Sequence, residues 1–406
     1  MSVKIGLLIL ICLVGCFQSF SQPKESNLLE PVPRSTYYAN TLSVHPLGIF
    51  LSRVNNNFQF KPDEKFSIDL NLSNGNVWLP YVKGYKPLNQ SDREAMSDLV
   101  WASREFRFDT SQPSDSLSFE ADGIIRRYQV NINLPLNEVH EIKMRMNMYS
   151  LDGGKLPSSF LTSDRVIEWF HSNVIGGEDP FARKYYGFDQ AYINYVDPQG
   201  RELTLENGDF FFSNINLSYY YYPKFDLLTK HDFYTSIGIQ TGFNVNRFNP
   251  SMDLGGNFTL LKNIKLKNKQ KELRIGLSLG ALRQNFIGFG EGVELSDKQF
   301  LLHAEMLFEY VKFIQKGKYI SWATTWFLQA SYNQPIDYLV LKGNRVSSHW
   351  HYALSHLHRP LSGNNFIFTY GMEKLAFWLY LREDGWVDNA PDVQTGVGVK
   401  LFIPIN

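Results

Sequence analysis

Strict two-residue alternation runs through this chain in unusually long stretches. Ile142, Met144, Met146 and Met148 alternate with Glu141, Lys143, Arg145, Asn147 and Tyr149. Tyr128, Val130, Ile132 and Leu134 alternate with Arg127, Gln129, Asn131 and Asn133. Phe66, Ile68, Leu70 and Leu72 alternate with Ser67, Asp69, Asn71 and Ser73, and Leu273 to Leu279 with Arg274, Gly276, Ser278 and Gly280. Near the end, Val393, Thr395, Val397, Val399, Leu401 and Ile403 alternate with Gln394, Gly396, Gly398, Lys400 and Phe402. An extended chain points successive side chains to opposite faces, so each stretch carries one apolar and one polar face. A soluble sandwich alternates too. Two features favour a membrane barrel. Many stretches run about nine to fifteen residues, the length of a tilted crossing. Aromatics also cluster at stretch ends, at Tyr219 to Tyr222, Trp350 and Tyr352, and Trp378 and Tyr380, as an interfacial girdle would require. The expected fold is all-β, a transmembrane antiparallel β-barrel. A large extracellular β-sandwich is the rival.

Fourteen candidate crossings can be marked: 65–74, 117–134, 138–150, 189–197, 200–206, 209–222, 232–245, 252–264, 271–285, 299–314, 318–332, 346–359, 365–380 and 393–403. The number is even, as bacterial barrels require, with twelve as the alternative. Short connections at 137–138, 197–200, 315–318 and 360–364 are assigned to the periplasmic side. Long ones at 75–116, 151–188, 286–298, 333–345 and 381–392 are assigned to the outside. Short helices are expected in two long loops. One spans Asp92 to Glu105, with Met96, Leu99 and Val100 on one face. The other starts at an N-capping Ser163 and runs to about Asn173, its stripe of Val166, Ile167, Phe170 and Val174 requiring burial.

Residues 1–21 read as a secretory signal. Lys4 supplies positive charge, and Ile5 to Val14 forms an apolar core too short to cross a bilayer. Small Ser19 and Ser21 frame cleavage before Gln22. Leu13-Val14-Gly15-Cys16 also resembles a lipobox, in which Cys16 would be lipidated. The only two cysteines, Cys12 and Cys16, lie in this segment, so the rest of the chain can form no internal disulfide or Cys-based metal site. Residues 22–64 are read as an N-terminal arm or partial plug, and 65–406 as the barrel. Forty basic residues balance forty acidic ones, which argues against a general nucleic-acid binder. No uncharged apolar run reaches the length of a membrane helix.

Several motifs together define a resemblance. They are His45-Pro46-Leu47, Asp122-Gly123, Asp152-Gly153-Gly154, Trp169-Phe170-His171, Gly176-Gly177, Arg183, Glu373 and Ala390-Pro391-Asp392-Val393. This pattern is similar to the domain-of-unknown-function 3187 family and covers about residues 40–403. The resemblance implies a Gram-negative outer-membrane barrel with no established activity. The chain departs from it by a longer 75–116 insertion and by lacking a C-terminal Phe.

Chemical motifs are few. Gly276-Leu277-Ser278-Leu279-Gly280 matches the hydrolase G-x-S-x-G elbow, but that motif needs a sharp strand-to-helix turn, and here it lies in an alternating strand. The reading is therefore of small residues lining a lumen. His349, His351, His356 and His358 suggest a metal, yet positions 349 and 358 lie about 30 Å apart on a strand. At most His349 and His351 form a pair. Glu168 and His171 sit one turn apart without the further carboxylates of a di-metal site. Gly288, Gly290 and Gly292 form a loop rather than a phosphate cradle. No cofactor is expected. The residues assigned to the lumen are Asp69, Arg127, Gln129, Asn131, Glu141, Lys143, Arg145 and Glu373, charges of both signs that would pair across a narrow bore. The function expected is a channel, transporter or receptor for a small solute. A surface-interaction or structural barrel is the alternative, and a lipid hydrolase a weaker one. Expected partners are outer-membrane lipid, the barrel-assembly machinery and an unidentified solute, with no nucleic acid.

Overall fold

The computed structural model describes residues 46–85, 116–176, 183–266, 270–315, 317–333, 360–383 and 393–403, with a few positions in 89–105 and at 339–340. Among these, twelve strands form the barrel wall: β1 (Phe66–Tyr85), β2 (Ser116–Pro135), β3 (His140–Asp152), β4 (Phe210–Tyr221), β5 (Phe233–Asn244) and β6 (Ser251–Lys265) in the first half. The second half contains β7 (Lys271–Gly288), β8 (Phe300–Gln315), β9 (Lys318–Gln329), β10 (Leu361–Gly371), β11 (Leu375–Glu383) and β12 (Val393–Ile403). Each pairs antiparallel with its neighbours in the chain. The ring closes because β1 pairs on one side with β2, from Ser67 opposite Asn133, and on the other with β12, from Phe66 opposite Ile403. The fold is a closed twelve-stranded antiparallel β-barrel.

Twelve, rather than fourteen, follows from three local differences. The stretches 189–197 and 200–206 do not cross. They form a hairpin, Tyr192–Val196 and Glu202–Glu206, that extends the sheet from β2 beyond the end of β3. The stretch 365–380 is two strands, since Met372 to Lys374 makes a tight turn closed by Met372 N–H donating to Leu375 O at 2.7 Å. The 346–359 stretch lies outside the described residues. The sides change accordingly. The 197–200 turn is the tip of that hairpin at the outer end, and 360–364 begins β10 at the same end, where Gln329 pairs with Leu361.

Alternation sorts the side chains. Leu70, Ile142, Leu217, Ile239, Leu279, Phe308, Phe366, Leu379 and Leu401 stand exposed on the outer face. A band this apolar is stable only against hydrocarbon. Tyr219 and Tyr221 point outward and stack on His140. Trp378 and Tyr380 instead point inward and are buried, because Phe377, Leu379 and Leu381 take the lipid face of β11. Their rings lie over Gly398 and Gly396 on β12, where any Cβ would collide with them. Trp350 and Tyr352 lie outside the described residues.

The loops also differ from expectation. Over 92–105 the described residues are helical Glu94 and a minimal antiparallel pairing of Val100–Trp101 with Arg104–Glu105, so the expected helix does not run on to Glu105. Helix α1 (Asp164–Phe170) does begin after Ser163, but that hydroxyl donates back to Phe160 O at 2.9 Å and caps no N–H of the helix. Of its expected buried stripe only Ile167 is fully covered, whereas Phe170 and Val174 are exposed.

The outward row yields a test. Leu279→Arg, near mid-height of β7, should destabilise the barrel in bilayers by about 2–4 kcal/mol. Urea titration of the heat-modifiable folded band should detect this.

Candidate functional site

The lumen is filled by residues 46–64. Their contacts reach strands all round the ring, so this segment runs along the bore. At the outer end, Leu47, Ile49, Phe50, Leu51 and Val54 join a buried apolar cluster with Phe119, Ile193, Leu203, Phe248 and Leu295. Phe50 stacks on Phe211 at 4.9 Å and meets Phe248 edge-on. Apolar packing thus seals the outer mouth, and the Tyr192–Glu206 hairpin takes part in it.

Polar contacts take over lower down. Ser52 Oγ donates to Asn244 at 2.8 Å, and Asn55 N–H donates to Gln240 at 2.7 Å. The Asn55 amide donates to Ser218 at 3.1 Å, while Tyr220 O–H donates to Asn55 O at 2.7 Å. The Asn56 amide donates to Glu305 at 2.6 Å, and its oxygen accepts from Ser278 Oγ at 2.9 Å. Asn57 donates to Tyr222 O–H at 2.8 Å. Asn55, Asn56 and Asn57 therefore engage β4, β5, β7 and β8 together. An amide carries both donor and acceptor, which suits an insert facing mixed polar walls.

The G-x-S-x-G pattern explains the register. Gly276, Ser278 and Gly280 face inward on β7, opposite Phe58, Asn56 and Val54. A Cβ at position 276 would lie 2.7 Å from the Phe58 ring, and one at 280 would collide with Val54. Gly242 on β5 receives Ser52 in the same way. The glycines form a groove for the insert's side chains, and Ser278 hydrogen-bonds into it. Ser278 Oγ also accepts from Thr259 Oγ1 at 2.9 Å, and its strand continues unbroken through Gly288, without the turn of a nucleophile elbow.

Charged groups pair where the segment leaves the bore. Lys400 Nζ binds Asp63 at 2.6 Å and approaches Asp69 at 3.8 Å. Lys143 binds Glu141 at 3.3 Å, and it also donates to Asn57 at 3.1 Å and to Gln59. Arg145 donates to Asn131 at 3.0 Å and to Asn55. Arg127 donates to Ser73 at 3.0 Å and Gln129 to Asn147 at 2.9 Å. Asp69, Arg127, Gln129, Asn131, Glu141, Lys143 and Arg145 therefore all share the inner face. Glu373 does not, since it sits exposed in the β10–β11 turn. Sequence reading missed Arg274, buried between Glu272 and Glu309 at 3.2 Å from each. The alternation of 272, 274 and 276 was its available signal.

Of the family-like positions, Asp122, Gly123, Asp152, Gly153, Gly154 and Arg183 assemble elsewhere, on the outer face of the barrel, whereas Leu47 lies in the bore. Arg183 Nη1 binds Asp164 at 2.5 Å, and its Nη2 donates to Asn76 at 3.1 Å. Its guanidinium also lies 5.0 Å from the Trp78 ring. Arg126 binds Asp152 at 3.1 Å and donates to Ser159 at 2.9 Å. Asp122 is buried beside them. Gly123 has φ +135° and lies against Ala191, while a side chain at Gly153 would collide with Asp189 O. Gly154 N–H donates to Asp152 at 2.8 Å. Glu168 is buried and accepts from Ser172 at 2.6 Å, with His171 half-buried one turn on. These residues dock the loop after β3 against β1 and β2. Pro391, Asp392 and the four histidines 349, 351, 356 and 358 lie outside the described residues.

At the outer rim, Asp197 in the hairpin turn accepts the Glu294 N–H at 2.9 Å and the Arg201 N–H at 2.8 Å, and binds Arg201 Nε at 2.7 Å. Burial works to raise its pKa, but these donors hold the carboxyl below its usual value. Tyr195 O–H adds a bond to Glu294 O at 2.8 Å, so the hairpin latches onto the β7–β8 loop.

No family model matches the chain. No curated protein matches it in sequence. Solved barrels do resemble it in shape. The NanC porin is 8% identical, with 80% of this chain and 100% of that one covered and a TM-score of 0.33. An outer-membrane channel from Pseudomonas putida F1 is 7% identical, with 86% and 100% covered and a TM-score of 0.38. The translocator domain of the autotransporter NalP from Neisseria meningitidis is 8% identical, with 84% and 89% covered and a TM-score of 0.33. The architecture assigned to this chain rests on its own strand pairing.

Two outcomes follow from the groove and the latch. Gly276→Val combined with Gly280→Val should leave the ring intact but weaken seating of the insert by about 1–3 kcal/mol per site. Limited proteolysis should then cut within 46–64 while the folded gel band persists. Asp197→Asn should loosen the β7–β8 loop by about 1–3 kcal/mol. Because the folded carboxyl has the lower pKa, the wild-type latch is intact above about pH 4 and is lost as pH falls through the folded value. Hydrogen exchange at 290–298 should report both effects.

Proposed function

We propose that this protein is a Gram-negative outer-membrane barrel acting as a gated channel, transporter or receptor for a small solute, with residues 46–64 as its gate. The observation that carries this reading is the chemistry of the insert's seat. Its middle is held by Asn55, Asn56 and Asn57 through hydrogen bonds to Ser218, Gln240, Ser278 and Glu305, groups that water could satisfy equally well. Withdrawing the segment would expose these polar groups along the bore of a ring wider than the eight-stranded barrels that side chains fill. The proposal includes export with cleavage before Gln22, or lipidation at Cys16, and insertion by the barrel-assembly machinery. It gives Ser278 a seating role and no catalytic one.

A second reading, a surface-interaction barrel, is favoured by the docking of residues 153–176 and 183–190 on the wall. Locking the gate separates the two. With Cys12 and Cys16 removed, a Ser52→Cys, Asn244→Cys pair would tie the insert to β5, since the native side chains already touch. In planar bilayers the oxidised protein should be silent, and reduction should restore opening events. Silence in both states, and in the Gly276→Val, Gly280→Val variant, would favour the second reading.

A further inference from the structure

The loop after β3 is welded to the outside of the wall by buried polar contacts, yet it turns an apolar surface outward. Leu156, Phe160, Leu161, Trp169, Phe170 and Val174 are all exposed, Phe160 at 66% and Trp169 at 59%. Leu156 precedes the short turn Pro157–Thr162, and the others lie on that turn, on α1 and on the following turn His171–Gly176, which pack against one another. An exposed apolar patch of this kind marks something that covers it.

Its position identifies the cover. Along the outward row of β1, Leu70 and Leu72 face lipid, and the next two outward residues are Asn74 and Asn76. Asn74 donates to Ser158 O at 3.0 Å, and Asn76 donates to Asp164 at 2.8 Å. The change from leucine to asparagine on one row marks where hydrocarbon ends and the docked loop begins. The step from Leu72 to Asn74 is about 7 Å. The loop's apolar residues therefore continue the greasy band of β1 and β2 upward at the edge of the bilayer. Trp and Phe at that height, on a short amphipathic element lying across the wall, suit the interfacial layer.

We infer that residues 155–176 form a lipid shelf, whose exposed apolar side chains insert into the interfacial layer of the outer leaflet beside the barrel. Its partner is the lipid of that leaflet, not a second copy of this chain or another protein. The Asp164–Arg183 pair and the glycines at 123 and 153 hold the shelf at the height where the greasy band ends. The inference rests on the membrane-spanning barrel and is independent of gating in the lumen.

Spin labelling in phosphatidylcholine vesicles tests it. In a background without Cys12 and Cys16, nitroxides are placed singly at Phe160→Cys and Trp169→Cys. Leu279→Cys serves as the lipid reference and Gln199→Cys, at the exposed hairpin tip, as the aqueous one. Heat-modifiable migration confirms that each variant is folded. Collision with oxygen relative to a water-soluble nickel chelate should be several-fold higher at 160 and 169 than at 199, and below that at 279. Adding Gly153→Val, which forces the loop off Asp189, should pull the value at 169 toward that of 199. Ratios at 160 and 169 equal to that at 199 would overturn the inference. So would dipolar broadening between labels on separate chains, which would assign the patch to a second copy. Conductance plays no part in the readout, so failure here leaves the gate reading standing, and failure of the gate leaves this one.

Discussion

A sheet immersed in hydrocarbon cannot leave backbone N–H and C=O groups unpaired, because no water is present to satisfy them. Everything else in this molecule depends on how that demand is met. The seam between β1 and β12 supplies the last row of partners, from Phe66 opposite Ile403 to Gly75 opposite Gln394. Closing the ring leaves no bare edge and fixes which residue of every pair faces lipid. It also creates an enclosed bore lined by whatever the alternation turns inward.

That interior is two-sided. Around β3 to β5 it is amide- and hydroxyl-rich, and around β8 to β11 Leu307, Val311, Ile367, Ala376 and Trp378 form an apolar cluster alongside buried Glu305, Glu309, Thr325 and Asn365. The insert matches this division. Asn55 and Asn57 meet β3 to β5, Asn56 reaches Ser278 on β7 and Glu305 on β8, and Phe58 packs into the apolar cluster. Inward ion pairs such as Lys400 with Asp63 and Arg274 with Glu309 are satisfied locally, so that charges of both signs close the bore instead of charging it.

Much of the barrel was legible because alternation is a property of neighbouring residues. The phases of β1, β2, β3, β7 and β12 can be read directly, and with them the inward positions 127, 129, 141, 143 and 145. What failed depended on distant partners. Tyr192–Val196 and Glu202–Glu206 alternate like crossings, but they find β2 at a level where β3 has already ended. Trp378 and Tyr380 read as girdle residues because aromatics prefer the interface, yet Gly396 and Gly398 on the neighbouring strand make room for them inside. The groove at 276 to 280 could be recognised as small, but its match to Val54, Asn56 and Phe58 needs two segments that lie far apart in sequence. The apolar stripe of the loop helix was real. Protein covers only Ile167 of it, and Phe170 and Val174 are exposed.

The order of the chain adds one consequence. The insert immediately precedes the first strand, and that strand waits for the final one before the ring is complete. Residues 46–64 are therefore tethered directly to the seam at which the staves meet. Once enclosed, the segment cannot escape sideways. It is leashed at Phe66, and its only freedom is to slide along the bore.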